Sequence, residues 1–367
     1  MYSPLQIAAR PLSGLLMILN PAMLKSHMSF ADFSFLRTIR YVVLAATLFA
    51  AFFVSGCASM PRNDIHALYE KSKVGTDRFA SAGGYNVHYV EAGTGDPVIL
   101  IPGAFSTYRL WTRLIPDLSH QFRVIAIDYP GVGDSDKPDS GFDYSVNSQA
   151  DVLADLIRSL DLGKVSLAGV SYGSAIALNV AARYPGLVKN VVCIEGGALI
   201  LPEQLHHSKS TALLGVPIIG DIFLEILKTG LFNKAAAIEV MGEAWEKLDT
   251  IERELVLKIV ETNLKTASRT AWYRIYQAIT APTDFTQELI YSSVPIKYLY
   301  GEQSRYREVS RTNADIIRSI ALNSEIIPFN DGIHDLELQY PGKVLEAIAG
   351  PWGNTEFASD MFTPRNR

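Results

Sequence analysis

The stretch Val165-Ser166-Leu167-Ala168-Gly169-Val170-Ser171-Tyr172-Gly173-Ser174-Ala175-Ile176 decides how this chain is read. A short apolar run with the look of a buried strand leads in, and a helix-like run, Ser174–Arg183, leads out. Between them stands a G-x-S-x-G. That pattern recurs by chance, but a strand-to-helix setting gives it a mechanical meaning. A strained turn there lifts the serine hydroxyl clear of the sheet, glycines permit the close backbone, and the helix N-terminus offers partial positive charge to an oxyanion.

Working outward, the pattern alternates. Tyr85–Val90 reads as a strand after a hairpin turn at Gly83-Gly84, and Pro97–Ile101, Val124–Ile127, Lys189–Ile194, Ile296–Tyr300 and Glu325–Pro328 read as further strands. Helical stretches fall at Arg109–Leu118 and Ser148–Leu160. Strands alternating with helices imply an α/β fold with a mainly parallel sheet covered on both faces. The segment from Gly197 to Ser292 breaks the rhythm, with helical patterns at Ala235–Leu248, Ile251–Thr262 and Thr266–Ile279 and no convincing strand. It reads as a helical cap (197–292) inserted between two parts of one core, 76–196 and 293–352, with a tail at 353–367. Within it, Gly215–Phe232 is strongly apolar, as expected of the core of the cap; an acyl pocket or a surface that meets lipid is the alternative. Trp245, Trp272, Tyr273 and Tyr276 are open to the same two readings, packing or pocket.

The 367 residues are 48% apolar and 19% charged, a globular composition that excludes disordered and collagen-like chains. Two Cys preclude a Cys-based zinc cluster or a disulfide framework. A formal net charge of −5 leaves no basic footprint for nucleic acid. The mean hydropathy of +0.13 is high for such a chain. Much of the excess sits in the uncharged run Tyr41–Val54, behind Arg37 and Arg40.

That run has 14 residues, short of the roughly 20 that span a bilayer, and small residues follow it, as in a secretory signal. Val54-Ser55-Gly56-Cys57 resembles the lipobox of bacterial lipoproteins. The resemblance implies a signal peptide at 1–56 and Cys57 as the acylated (palmitate-bearing) new N-terminus. It further implies a tether at 57–75 with a short helix near Ile65–Lys71, and the outer membrane rather than the inner, because Ala58 is not an Asp retention signal. Cleavage of the ordinary type near Ala58 and an uncleaved anchor are the alternatives; Met28 is a candidate start. Cleavage before Cys57 would remove Arg10, Lys25, Arg37, Arg40 and Asp32, leaving 311 residues with net charge −8 and Cys193 as the other thiol.

Around the G-x-S-x-G, further segments resemble the α/β-hydrolase fold superfamily over Ala80–Trp352. Val98–Leu118 resembles its third strand and oxyanion loop, Ile125–Pro138 its next strand and turn, and Asn330–Pro341 the loop carrying its catalytic His. The resemblance implies an eight-stranded sheet, Ser171 as nucleophile and His334 as general base and acid, last in the order Ser–acid–His. It implies an oxyanion hole from the backbone N–H groups of Tyr172 and Ala104, in a loop that begins Pro102-Gly103 rather than His-Gly. Asp128 and Asp134 match residues that build the family's turn. The commonest acid position, three residues beyond Gly301, holds Ser304 here. Glu195, ending the apolar strand after the nucleophile, matches the acid position of some haloalkane dehalogenases; Glu302 is the alternative, and absence of a working acid the third reading.

A Ser nucleophile is unsuited to the dehalogenation and epoxide opening typical of this fold, which use an Asp. Acyl transfer remains, with no cofactor and no metal required. The expected function is a membrane-tethered serine ester hydrolase (esterase or lipase) of apolar or lipid-like acyl esters. Thioester, amide and carbon–carbon bond hydrolysis are alternatives within the fold, and a non-catalytic ligand-binding lipoprotein is the alternative outside catalysis. The expected partners are a small-molecule ester or lipid and, through Cys57, a membrane; the sequence leaves the oligomeric state open.

Overall fold

The continuous apolar runs of the sequence are strands buried on both sides. In the computed structural model, which describes residues 75–196, 212–241, 245–246, 248–281, 283 and 285–352, eight strands form one sheet: β1 (Thr76–Ala82), β2 (Tyr85–Ala92), β3 (Asp96–Ile101), β4 (Phe122–Asp128), β5 (Val165–Val170), β6 (Val188–Ile194), β7 (Ile296–Gly301) and β8 (Ser324–Phe329). Their order is β1-β2-β4-β3-β5-β6-β7-β8. β1 and β2 form the expected hairpin through Gly83-Gly84, and β2 meets β4 antiparallel; every other pairing is parallel. Cys57, the signal, the tether up to residue 74 and the 353–367 tail lie outside the described residues.

Two-residue periodicity divides the core between the faces of the sheet. Ile99, Ile101, Ile125 and Ile127 join one apolar cluster with α2 (Val146–Ser159) and α3 (Tyr172–Arg183). Val98, Leu100, Val124 and Ala126 join the other, together with α1 (Ile115–Leu118) and residues between β6 and β7. α3 is buried at every position except Arg183, as a helix lying against the centre of a sheet must be.

Two helical stretches differ from expectation. Arg109–Leu118 is not one helix but a 3₁₀ turn, Tyr108–Trp111, followed by α1. Pro116 is the reason: it lacks an N–H and clashes in a helix interior, so it is accommodated in the first turn of a new, short helix. The pattern over Thr266–Ile279 also breaks. α6 (Thr250–Thr266) stops, Ala267 and Ser268 are extended, and α7 (Arg269–Ile279) restarts with the Ser268 hydroxyl accepting the Ala271 N–H.

Between β6 and β7 no strand occurs among the described residues. Helices α4 (Ile219–Lys228), α5 (Asn233–Met241), α6, α7 and α8 (Thr286–Ile290) fill the segment. α5 covers the expected helix over 235–248 only as far as Met241, residues 245 and 246 being in a 3₁₀ turn, and a capping box between Asp249 and Glu252 starts α6. The expectation that Gly215–Phe232 is cap core holds for one side only. Leu224 is buried, whereas Val216, Ile218, Ile219, Ile222, Ile226 and Leu231 are exposed, Ile218 and Leu231 by 72% and 73%. Trp245 and Trp272 are buried, and Tyr273 stacks on Tyr276. No helix of the described residues is long and apolar enough to cross a membrane.

Candidate active site

Ser171 stands between β5 and α3 with φ +52° and ψ −114°, a conformation costing a non-glycine residue about 1–3 kcal/mol. The surroundings enforce it. Its N–H donates to the Ile194 carbonyl on β6 (2.8 Å), and its own carbonyl accepts the N–H of Ser174 (3.0 Å). The Ser174 hydroxyl donates to the Gly169 carbonyl (2.6 Å) and accepts the Ile194 N–H (3.0 Å), stitching β5, α3 and β6 together. The motif's second glycine is a steric requirement: a Cβ on Gly173 would stand 2.5 Å from the carbonyl oxygens of Ile101 and Pro102.

The Pro102-Gly103-Ala104-Phe105 loop passes beside this turn. A Cβ built on Gly103 would lie 3.6 Å from the Ser171 Cβ. The Tyr129 hydroxyl donates to the Gly103 carbonyl (2.9 Å), so a proline at 102 does not leave the loop unanchored. Phe105, at φ +63°, packs its ring against Trp272 of α7, with centroids 5.1 Å apart. Thr107 donates to the Asn263 side-chain oxygen on α6 (2.8 Å), so the helical segment holds the far end of the same loop. Tyr172 is the first residue of α3, directly after Ser171, and Ala104 follows Gly103 in the loop that passes beside the same turn.

His334 lies in the loop after β8. Gln339 pins that loop, accepting the Ile333 N–H (2.8 Å) and donating to the Asp331 carbonyl (2.9 Å). The His334 Nδ1 faces Glu195 Oε2 at 3.4 Å. A carboxylate only accepts, so Nδ1 carries the proton and Nε2 is left free to act as a base. The Tyr306 ring meets the imidazole edge-on, with centroids 4.7 Å apart. Among the described residues the Ser171 hydroxyl makes no hydrogen bond to His334. Catalytic contacts of this kind commonly tighten only when substrate is bound.

Glu195 is 3% exposed and has φ +49°. Its carboxylate accepts the Gly301 N–H, the Ser304 hydroxyl (3.0 Å) and the Ser310 hydroxyl (2.8 Å), in addition to facing His334. Gly196 lets it come close, because a Cβ there would stand 2.1 Å from the Ser171 carbonyl. Glu302 is not brought to His334: its carboxylate is engaged by Arg311 and by the Tyr300 hydroxyl. Composition and spacing did not single out Ser310, nor did they make Ser304 more than a missing acid. A hydroxyl at the usual acid position, with a Glu at the end of the strand before it, was the available signal.

Two further buried acids flank His334. Burial pushes the Asp335 carboxyl upward, against the positive influence of His334 and Arg305. Burial also pushes the Glu337 carboxyl well above its ordinary range, and the charge of Asp335 adds to it; neither Glu337 oxygen has a hydrogen-bond partner among the described residues.

His88, Asp128 and Asp134 bring three potential metal-donor atoms together. The His88 and Asp128 atoms among them are already committed. His88 Nδ1 lies 2.8 Å from Asp128 and Nε2 3.1 Å from Asp77, and Asp128 accepts the N–H groups of Tyr108 (2.8 Å) and Asp134 (3.0 Å). The cluster frames the turn after β4 and fixes Tyr108 at the end of the loop that follows β3.

Comparison with known proteins accords with this geometry. A family model described as alpha/beta hydrolase fold matches residues 96–218. The 2-hydroxy-6-oxo-6-(2'-aminophenyl)hexa-2,4-dienoic acid hydrolase of Metapseudomonas resinovorans is 36% identical over 150 residues, 40% of this chain and 50% of that protein. The chain thus spans about half the length of this curated relative. The 2-(acetamidomethylene)succinate hydrolase of Mesorhizobium japonicum is 30% identical over 217 residues, 57% of this chain and 77% of that one. A solved membrane phospholipase A, described as a bacterial virulence factor, superposes with a TM-score of 0.62 at 18% identity over 87% of this chain and 96% of its own, a likeness of fold alone. A strained serine between strand and helix, a histidine after the last strand, the eight-stranded order and a relative matched over three quarters of its length agree: the chain belongs to the α/β-hydrolase fold family.

Proposed function

We propose that this chain is a serine hydrolase that cleaves a carboxylic ester through an acyl-enzyme on Ser171. One observation carries the reading: His334 presents Nδ1 to a buried carboxylate, leaving Nε2 free, in the same site as a serine held in a strained elbow. His334 accepts the Ser171 proton as the hydroxyl oxygen attacks the substrate carbonyl carbon. The N–H groups of Tyr172 and Ala104 stabilise the tetrahedral oxyanion. Collapse breaks the carbon–oxygen bond, and the departing alkoxide takes the proton from His334. A water then loses a proton to His334, attacks the acyl carbon and releases the acid, and the proton returns to Ser171. Glu195 is the acid that orients and balances the imidazolium.

An apolar or lipid-like acyl group suits the aromatic wall of Phe105 and Trp272 beside the oxyanion loop and the apolar surface of 216–231. Anchoring through an acylated Cys57, in the outer membrane of a bacterial envelope, rests on the sequence Val54–Cys57. A second reading is hydrolysis of another bond, including a carbon–carbon bond, in an acid-bearing substrate. It is favoured by relatives named as hydrolases of a dienoic acid and a succinate derivative. A p-nitrophenyl ester series of increasing chain length, with Ser171→Ala as control, tests the first reading. Turnover rising with chain length and lost in the control supports it; no turnover by folded protein, with cleavage of oxo-dienoic acids instead, replaces it with the second. Palmitate incorporation that persists in Cys57→Ser would refute the anchor.

A further inference from the structure

We propose that Ser304 is a positioning residue that aims the Glu195 carboxylate at His334, and that the segment 301–310 is a cradle for an acid supplied by a different strand. The inference rests on the triad reading above.

The direction of the Ser304 hydroxyl is fixed. Its oxygen accepts the Tyr306 N–H at 3.1 Å, and its remaining contact is the Glu195 Oε2 at 3.0 Å. The hydroxyl proton therefore points at the carboxylate. That same oxygen, Oε2, faces His334 Nδ1 and accepts from Ser310 at 2.8 Å, while the other, Oε1, takes the Gly301 N–H. Three donors from one ten-residue stretch thus surround a carboxylate that enters from β6. The stretch also supplies the Tyr306 ring that meets the imidazole, so one turn seats both partners of the pair. Ser304 is 7% exposed and Ser310 2% exposed, so neither hydroxyl has water as an easy alternative.

A carboxylate with a 3.4 Å contact to its imidazole depends on such support, because a small rotation would lengthen the contact beyond hydrogen-bonding range. A residue that acts this way works only through Glu195. That separates positioning from a general packing role and defines the test.

The test uses the full-length protein and a fluorophosphonate probe, reading the maximal labelling rate of Ser171 and the half-saturating probe concentration. Ser304→Ala is expected to lower the maximal rate about tenfold, the scale of one lost hydrogen bond to a charged group, with the half-saturating concentration unchanged. Ser304→Thr, which keeps the hydroxyl, is expected to return most of the rate. In a Glu195→Gln background, Ser304→Ala is expected to change the rate less than about twofold, because the interaction it serves is already gone. Equal losses in both backgrounds, or no loss in the wild-type background, overturn the proposal while leaving the serine-hydrolase reading intact. A folded wild type that does not label overturns both. If Ser304→Ala melts far below the wild type, Ser310→Ala in the same two backgrounds gives the same discrimination.

Discussion

Replacing Glu195 by Gln exchanges one carboxylate oxygen for an NH2 group, and the structure dictates which way the amide must sit. The Gly301 N–H faces Oε1 and cannot reverse, so the amide oxygen has to occupy that position. The NH2 then takes the place of Oε2, facing Ser304, Ser310 and His334 Nδ1. A donor facing Nδ1 forces that nitrogen to accept and moves the imidazole proton to Nε2. In this tautomer His334 cannot take the Ser171 proton. The expected loss in kcat or in labelling rate is about a thousand- to ten-thousand-fold, or about 4–5.5 kcal/mol of transition-state stabilisation. Glu302→Gln, which touches only the Arg311 and Tyr300 contacts, is expected to cost less than about threefold, as for a partly exposed surface pair. The assay is the time course of fluorophosphonate labelling, checked by mass on Ser171 and accompanied by a melt of each variant. A folded Glu195→Gln protein labelling within tenfold of wild type would refute the assignment of the acid and the tautomer argument together.

Three other expectations follow from the same geometry. Gly173→Ala puts a methyl group 2.5 Å from two carbonyl oxygens, so folded protein should show a distorted elbow, with labelling lost while the secondary structure measured by circular dichroism is retained; normal labelling would contradict the steric account. His88→Ala leaves the buried Asp128 carboxylate with two N–H donors but no imidazole, at a cost of about 2–3 kcal/mol near pH 6. Burial opposes protonation of His88, yet Asp128 and then Asp77 raise its folded pKa above 6.5, so the ionic part of this contribution is full below about pH 6.5 and fades as pH climbs through the raised value. Urea melts at pH 5.5 and 8.5 should show the gap between wild type and variant narrowing at the higher pH, and a constant gap would disprove the linkage. Glu337 is the opposite case: its raised carboxyl holds its proton to higher pH in the fold than in the unfolded chain, which destabilises the wild type as pH rises above about 4.5. Glu337→Gln should therefore melt higher than wild type at pH 8 and nearly together with it at pH 4.5; a lower melting temperature at pH 8 would contradict this.

The parts of the molecule that periodicity governs were legible in the sequence. Pro97–Ile101 and Val165–Ala168 are recognisable because strands buried on both faces leave no polar alternation, and these segments are the centre of the sheet. The strand-to-helix turn at Ser171 was legible from the pattern around it, whereas the pairing of His334 with the Glu at the end of β6 was expected only through the resemblance to known hydrolases. Pro116 was a local signal that the apolar pattern around it obscured, and Ser268 a cap hidden inside a helical pattern. The full exposed side of 216–231 was not seen: Asp221, Glu225 and Lys228 mark one polar face of α4, but Ile218, Ile219, Ile222 and Ile226 are exposed as well, which apolar character alone does not indicate. Nor could the cradle of Ser304 and Ser310 be seen. It depends on β6 and β7 lying side by side across an insertion of nearly a hundred residues, a juxtaposition only the folded sheet provides.

The place of Glu195 in the chain has a consequence for how the site can be modified. Ser171 and Glu195 lie within 25 consecutive residues, on neighbouring strands joined by the Ser171–Ile194 hydrogen bond, and both precede the helical segment. The cradle and His334 follow it. A cut or graft anywhere from 197 to 292 therefore divides the molecule into two halves with complementary duties. One carries Ser171 and Glu195; the other carries His334 and the Gly301, Ser304 and Ser310 donors that hold the Glu195 carboxylate. Exchanging the helical segment for that of another family member alters the Asn263 and Trp272 contacts to the loop after β3. It keeps every residue of β6, β7, Ser171, Glu195 and His334, so on the proposed reading such chimaeras probe specificity apart from the chemistry.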